Sequence, residues 1–169
     1  MNSMDLYQTV KPLNNGYHKV RHENYFGLIA SDGKQVCPIK YSCIDYFFNG
    51  YAKVCVDKKW GFIDSKGNEI CPVKYDWVED FKFGYAAVCI DDKWGFIDSK
   101  GNEICLIQYE EASHFFNHKY AKVKRNRKWG VIDVKGVEIL PPEFDSILNR
   151  NNTYIEVTQG TTSHKIVLA

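Results

Sequence analysis

Short runs of alternating hydrophobic and polar residues recur along the chain. The run Tyr51-Ala-Lys-Val-Cys-Val alternates and is rich in β-branched residues, which predicts a β-strand. The polar stretch Asp57-Lys58-Lys59 predicts a turn into a second strand, Trp60–Asp64. A third strand is predicted at Asn68–Cys71. No window has helical periodicity, so the pattern indicates an all-β fold.

Two residues mark the ends of the third predicted strand. Gly67 follows Ser65-Lys66 and is expected in the left-handed conformation of a short hairpin loop, where a side chain would clash. Pro72 is expected to end the strand, because proline cannot donate to a β-ladder.

The period of two sorts these strands into faces. Trp60 and Phe62 are expected to point away from the core, with Gly61 on the core face to allow close approach of another backbone. The core face is predicted to carry Ala52, Val54, Ile63 and Ile70.

The strand pattern is repeated. The sequence WGFIDSKGNEIC occurs at Trp60–Cys71 and again 34 residues later at Trp94–Cys105, with shorter copies at Trp129–Gly130 and Phe26–Gly27. Self-similarity at this period predicts an array of structural repeats. Aligned tyrosines and glycines divide the chain into five units within a single domain, residues 1–169: 7–40, 41–74, 75–108, 109–143 and 144–169.

Three antiparallel strands per unit would leave each unit inverted relative to the next. The segment Tyr75–Phe83 is long enough to carry the chain back, with room for a short fourth strand. The expected architecture is therefore an open, solenoid-like stack of small antiparallel sheets, with a closed five-bladed, propeller-like ring as the alternative. Met1–Leu6 occupies the register missing from the last unit and is a candidate to complete the fifth sheet.

Composition limits the choice of partners and compartments. The formal net charge of +1 gives no global attraction to nucleic acid or an anionic membrane. No apolar stretch approaches the ~20 residues of a membrane span, so we expect a cytoplasmic protein, unless a signal peptide preceded this numbering. The six cysteines form no C-x-x-C pair and five fall in repeat columns, which favours free thiols as small buried hydrophobes.

The repeated pattern K-W-G-F-I-D-x-x-G-x-E-I, followed by F-x-x-G-Y-A-x-V, resembles the WG-repeat (KWG-repeat) family of bacterial β-repeat proteins. The pattern is carried by Lys59–Ile70 with Phe81–Val88, by Lys93–Ile104 and by Lys128–Ile139. The first unit departs from it at Tyr25-Phe26-Gly27 and the last lacks Trp-Gly, as expected of capping units. The resemblance implies a β-repeat scaffold for binding, with no catalytic residue and no cofactor.

Residues that break the repeat are the candidates for function. Trp77 is the only tryptophan outside the Trp-Gly column, and tryptophan is enriched at interface hot spots. The fourth unit replaces an acidic turn by a basic run that could meet an acidic surface. Its candidate binding residues are Lys124, Arg125 and Arg127; the competing interpretation is a solvated hairpin tip.

The favoured function is specific binding of another protein by a non-enzymatic scaffold, such as an inhibitor or an immunity protein that neutralises a toxin. The alternative is a carbohydrate or cell-envelope polymer module that uses repeated aromatics such as Tyr75 and Tyr109. His114 and His118 have H-x-x-x-H spacing without helical periodicity or a third ligand, so no metal site is predicted. The exposed end strands of an open array would also permit a homodimer.

Overall fold

The fold is all-β. A computed structural model describes residues 7–150 and 153–168, which contain strands and turns but no helix. The strands form five small antiparallel sheets of three or four strands each, none of which closes on itself. The all-β class and the array of about five small antiparallel units are confirmed.

The five sheets follow the repeat. The first contains β1–β4, the second β5–β8, the third β9–β11, the fourth β12–β15 and the fifth β16–β18. The strands are β1 (Thr9–Pro12), β2 (His18–His22), β3 (Tyr25–Ile29), β4 (Gln35–Tyr41), β5 (Cys43–Ile44), β6 (Tyr51–Val56), β7 (Lys59–Asp64), β8 (Glu69–Tyr75), β9 (Trp77–Val78), β10 (Tyr85–Ile90), β11 (Lys93–Asp98), β12 (Glu111–Ala112), β13 (Tyr120–Arg125), β14 (Lys128–Asp133), β15 (Glu138–Phe144), β16 (Ser146–Asn149), β17 (Tyr154–Gln159) and β18 (Thr162–Val167). The sequence left room for a short fourth strand in each repeat. In the structure this extra strand comes first in its sheet, as β5 does in the second sheet.

The central hairpins have two-residue turns. In the second sheet Val56 pairs with Lys59, and the intervening Asp57 and Lys58 have φ values of 48° and 64°. Positive φ at both central positions is the type I′ geometry, whose twist matches that of the flanking strands. In the fourth sheet Asn126 and Arg127 take the same conformation, with φ values of 53° and 62°. The predicted polar turn is confirmed, although it is one residue shorter than expected.

The expectation that Pro72 ends its strand was wrong. β8 continues through Pro72 to Tyr75, and its register with β7 shifts between the Phe62–Cys71 and Trp60–Tyr75 pairs. This irregularity takes Pro72 out of the regular ladder, so its missing N–H costs no hydrogen bond. The displaced segment lies close to Gly61, where an added Cβ would be 3.0 Å from the Cα of Val73. Close approach of a backbone at Gly61 is therefore confirmed.

The second sheet is buried on both faces, which corrects the expected single core face. Ile63 packs in a core formed by the first two sheets, together with Leu28 and Tyr41. Phe62 is also buried and contacts the ring of Phe81, 4.7 Å away. Trp60 is half-buried, and so is Ile70, which was expected in the core. A period of two identifies two faces but does not show that another sheet covers the second one.

The turn glycines Gly67, Gly101 and Gly136 each pack against the backbone of the preceding repeat. Gly67, Gly101 and Gly136 have φ values near +80°, which confirms the left-handed conformation expected at Gly67. A Cβ on Gly136 would lie 2.0 Å from the carbonyl oxygen of Ile104, and one on Gly101 would lie 1.8 Å from that of Ile70. The column therefore combines a left-handed turn with a contact that leaves no room for a side chain.

Contacts divide the chain into two compact units. One contains the described residues through Phe81 together with Ser99–Gly101, and the other contains Lys82–Asp98 and the described residues from Asn102 onward. The part of the chain that the structure describes has no helix with the length and apolarity to cross a bilayer. Met1–Leu6, the candidate to complete the fifth sheet, lies outside the described residues.

Candidate functional site

Trp77 belongs to a group of exposed aromatic side chains in the first unit. Its indole is half exposed, packs edge-on against the ring of Trp60 at 5.8 Å, and donates from Nε1 to Glu79 at 3.2 Å. Tyr46 is 69% exposed and Phe48 is 48% exposed. Large apolar side chains at this exposure are not needed for the core, so their grouping is informative.

Two adjoining depressions connect these aromatic residues. A small cavity of about 40 Å³ lies between Trp60, Trp77 and the Asp45–Lys53 pair. A wider depression of about 370 Å³ is lined by the same pair together with Tyr46 and Phe48. Asp45 and Lys53 line both, so the two depressions lie side by side. We define the aromatic surface by the residues Asp45, Tyr46, Phe48, Lys53, Trp60, Trp77 and Asp80.

A lysine fixed between two carboxylates lies at the centre of the aromatic surface. The Nζ of Lys53 is 3.0 Å from Asp80 and 3.8 Å from Asp45, and its side chain is 22% exposed. Asp45 directly follows β5 and donates its backbone N–H to the Lys53 carbonyl at 3.0 Å. These ion pairs hold Lys53 in place, and two carboxylates beside one ammonium group leave a net negative charge among the aromatic rings.

Sequence reasoning found Trp77 and missed Tyr46 and Phe48. The signal was present in the repeat columns. Tyr46 aligns with Pro12, Asp80 and His114, so the fold requires no aromatic residue there. Phe48 was harder to find, because another aromatic residue, Phe116, occupies the same column two repeats later, so Phe48 does not clearly break the pattern.

Acidic neighbours pair with two of the candidate basic side chains in the fourth repeat, Lys124 and Arg125. Lys124 pairs with Glu111 at 2.5 Å and lies over the Trp129 ring. Arg125 holds Glu138 in a two-pronged contact at 2.7 and 3.0 Å. A bidentate arginine of this kind stabilises the fold and is less available to a partner.

Arg127 is placed differently from the other two candidates of this run. It lies at the hairpin tip, is exposed, and its backbone N–H donates to Glu110 at 3.0 Å. Of Lys124, Arg125 and Arg127, only Arg127 presents its charged group without a described acidic partner. It belongs to the second unit, whereas Trp77 belongs to the first.

Tyr75 and Tyr109, the candidate sugar platforms, are each 1% exposed. The Tyr109 hydroxyl donates to Glu138 at 2.9 Å, and the corresponding Tyr41 hydroxyl donates to Glu69 at 2.8 Å. Burial and these hydrogen bonds raise the pKa of Tyr41 and of Tyr109 well above the usual range. The rings cannot stack on a ligand, so the proposed platform role of Tyr75 and Tyr109 was wrong.

The shifted titratable groups of the described residues have structural causes. All six cysteines are free thiols. Burial raises the pKa of Cys37, Cys71 and Cys105 to about 11. Burial, and then the adjacent Cys55 thiol, raises the pKa of Cys43 to about 12. Thiols with such pKa values stay protonated at neutral pH and are poor nucleophiles.

The described residues contain no group of three or more His, Cys, Asp and Glu side chains that could hold a metal ion. The ring of His118 instead lies 3.8 Å from that of Phe83, with which it packs. His118 therefore has a packing role in the segment between β12 and β13.

Comparisons with solved structures give only distant similarity. Hsv2 of Kluyveromyces lactis matches at 12% identity with a TM-score of 0.45, over 88% of this chain and 63% of that chain. A eukaryotic initiation factor matches at 8% identity with a TM-score of 0.45, over 94% of this chain and 51% of that chain. The chain thus spans about half to two-thirds of the length of these structures, and likeness at this level says nothing about function. No curated protein matches the chain.

The sequence family with the description "WG containing repeat" matches four consecutive segments, residues 26–60, 60–94, 94–129 and 129–159. These segments carry the Trp-Gly pairs and the two-residue hairpins of the second, third and fourth sheets. The chain therefore belongs to the WG containing repeat family.

Proposed function

We propose that this protein is a non-enzymatic β-repeat scaffold that binds another protein through the aromatic surface. The observation that carries the proposal is the grouping of Tyr46, Phe48 and Trp77 around the ion-paired Lys53. Tryptophan and tyrosine supply large contact areas that lose little conformational entropy on binding, and they dominate interface energetics.

The chemistry of the surface fits a protein partner. The aromatic rings offer apolar area, while Asp45 and Asp80 retain acceptor oxygens beside them. A fixed ion pair beside aromatic residues combines the apolar contact area and the hydrogen-bonding groups that protein interfaces contain. We expect the partner to bury Trp77 and to bring a hydrogen-bond donor or a cation to the two carboxylates.

The test is an affinity measurement with single substitutions at exposed positions. A partner captured from the native cytoplasm at one-to-one stoichiometry is titrated with wild-type protein, Trp77→Ala and Tyr46→Ala. Loss of a hot-spot side chain costs about 2 kcal/mol or more, which is roughly a 30-fold loss of affinity. Tyr25→Ala is the matched control, because Tyr25 is a 44% exposed aromatic residue of the same compact unit that does not line either depression of the aromatic surface.

Two results would count against the proposal. Full affinity in a folded Trp77→Ala protein would show that the surface is not the interface, and equal losses with Tyr25→Ala would indicate a non-specific effect. Circular dichroism of each variant establishes that it is folded. The Arg127→Glu variant, measured at about 50 and 200 mM salt, tests whether the basic hairpin adds a screened electrostatic contact.

The narrower hypothesis is an inhibitor or immunity protein acting in the cytoplasm. It predicts that the captured partner has an enzymatic or toxic activity, and that stoichiometric addition of this chain abolishes that activity. A partner whose activity is unaffected by binding would leave the scaffold proposal in place and remove the inhibitor assignment.

A further inference from the structure

The first sheet contains a cavity of about 180 Å³ that is lined by three cationic side chains and one aromatic ring, those of Lys11, Lys19, Arg21 and Phe26. Lys11 on β1 lies directly opposite Lys19 on β2, and Arg21 lies opposite Phe26 on β3. Lys19 and Arg21 are two residues apart on one strand, so they project from the same face. The pairing therefore brings three positive charges to one place.

This arrangement is unfavourable in the absence of a ligand. Like charges directly opposite on paired strands destabilise a sheet. Among the described residues, no carboxylate forms an ion pair with Lys11, Lys19 or Arg21. Lys19 donates to the Ile44 carbonyl at 2.9 Å, and Arg21 donates from Nε to the Glu23 carbonyl at 2.6 Å. Neutral carbonyl acceptors position Lys19 and Arg21, and no carboxylate of the described residues pairs with their charge.

The corresponding place in the second sheet shows that the fold does not require this clustering. The positions of Lys11 and Lys19 are occupied there by Asp45 and Lys53, which attract each other. In the third sheet the corresponding residues are Glu79 and Ala87. Among these three sheets, only the first has a basic residue at this position. Lys11 therefore repels Lys19, where Asp45 attracts Lys53.

We propose that this cavity is a binding site for a phosphate-type oxyanion. Three cations match a multiply charged oxyanion better than a single carboxylate, which would leave most of the positive charge unneutralised. Arginine binds phosphate oxygens through parallel N–H groups, and lysine adds point charges. Phe26 provides an apolar wall beside the anion, and the Nζ of Lys19 lies 5.5 Å from the centre of its ring.

The test is calorimetric titration of the full chain with inorganic phosphate in a phosphate-free buffer. We expect saturable, one-to-one binding that is weakened at least tenfold by Lys11→Asp and by Arg21→Gln. Lys34→Gln is the matched control, because Lys34 is an exposed lysine of the same unit outside the cavity. Titration with phenyl phosphate alongside distinguishes free from esterified phosphate as the preferred form, and tighter binding of either one supports the site.

A melting experiment separates loss of the site from loss of the fold. Lys11→Asp reproduces the attractive pair of the second sheet, so we expect a higher melting temperature than wild type without phosphate. Phosphate should raise the melting temperature of wild type but not that of Lys11→Asp. Absence of saturable binding to wild type, or an equal loss of affinity in Lys34→Gln, would overturn the proposal.

Discussion

At the scale of single residues, the repeat is held in register by glycines whose role is both conformational and steric. Gly136 and Gly84 both have φ near +80°, a conformation in which L-residues are strained. They differ in their surroundings, because a Cβ on Gly84 would meet nothing within 4 Å, whereas one on Gly136 would overlap the Ile104 carbonyl. Comparing alanine substitutions at these two glycines therefore separates the cost of backbone strain from the cost of steric overlap.

We predict that Gly136→Ala destabilises the protein much more than Gly84→Ala does. The Gly84 variant should lose about 1 kcal/mol, the cost of alanine in a left-handed conformation. The Gly136 variant must in addition move its turn away from the Ile104 carbonyl, so its loss should exceed about 3 kcal/mol. Urea unfolding of the two variants measures both values, and equal losses would show that the turn can shift without cost.

Sequence reasoning succeeded at the residue scale wherever a position repeats. The glycine columns and the left-handed Gly67 were predictable because each reports a local backbone requirement. The contact partner was not, because the Val36 carbonyl near Gly67 belongs to the preceding repeat. A local pattern shows that a side chain is forbidden but does not show what forbids it.

At the scale of the elements, adjacent sheets of a unit are joined by a repeated hydrogen bond from a buried tyrosine to a glutamate. Tyr109, which pairs with Trp94 on β11 of the third sheet, donates to Glu138 on β15 of the fourth sheet, and Arg125 on β13 binds the same carboxylate. In the first unit Tyr41 and Glu69 form the same link, with Lys40 2.8 Å from the carboxylate. The tyrosine column is therefore a connector between sheets.

We predict that Tyr109→Phe reduces the free energy of unfolding by about 1–3 kcal/mol, the usual cost of losing a hydrogen bond to a charged group. A double-mutant cycle with Glu138→Gln measures the coupling between the two side chains. The matched variant Tyr120→Phe alters a tyrosine on β13 that is outside this link. No coupling in the Tyr109–Glu138 cycle would indicate that the tyrosine acts through packing alone.

The strands were predictable because each repeat carries the same alternating pattern. Which faces of the strands are buried was not predictable. Period-two alternation located the strands β6 and β7 correctly. It placed Phe62 outside the core, because alternation alone cannot show that a second sheet covers the outer face. The aromatic surface was only partly predictable. Tyr46 and Phe48 lie beside Lys53 because of the path of the segment between β5 and β6, which sequence spacing does not reveal.

At the scale of the whole molecule, charge is nearly balanced, with 22 basic and 21 acidic residues. Much of the balance is local. Described carboxylates accept hydrogen bonds from lysines or from turn N–H groups, as Asp145 does from Lys128 and from the Gly160 N–H. Such carboxylates favour the folded state only while they are ionised.

We predict that the protein loses stability on acidification. At Glu69, partial burial raises the pKa, but hydrogen bonds from Lys40 and Tyr41 outweigh it and hold the pKa below its usual value. At Asp64 burial is likewise outweighed, by hydrogen bonds from Asn68 and Lys66, and the pKa is lowered. Because these pKa values are lower when folded, their stabilisation is complete above the unfolded pKa of about 4 and is lost as pH falls through the folded values.

Thermal melts from pH 7 to pH 2.5 measure this dependence. The melting temperature should change little from these carboxylates above about pH 5 and fall steeply below about pH 4. Glu69→Gln should make the fall shallower, because the variant has no charge to lose at that link, whereas the exposed Glu143→Gln should leave it unchanged. An equally steep fall in the Glu69 variant would mean that the tyrosine–glutamate link does not depend on the charge, and that acid unfolding begins at other carboxylates.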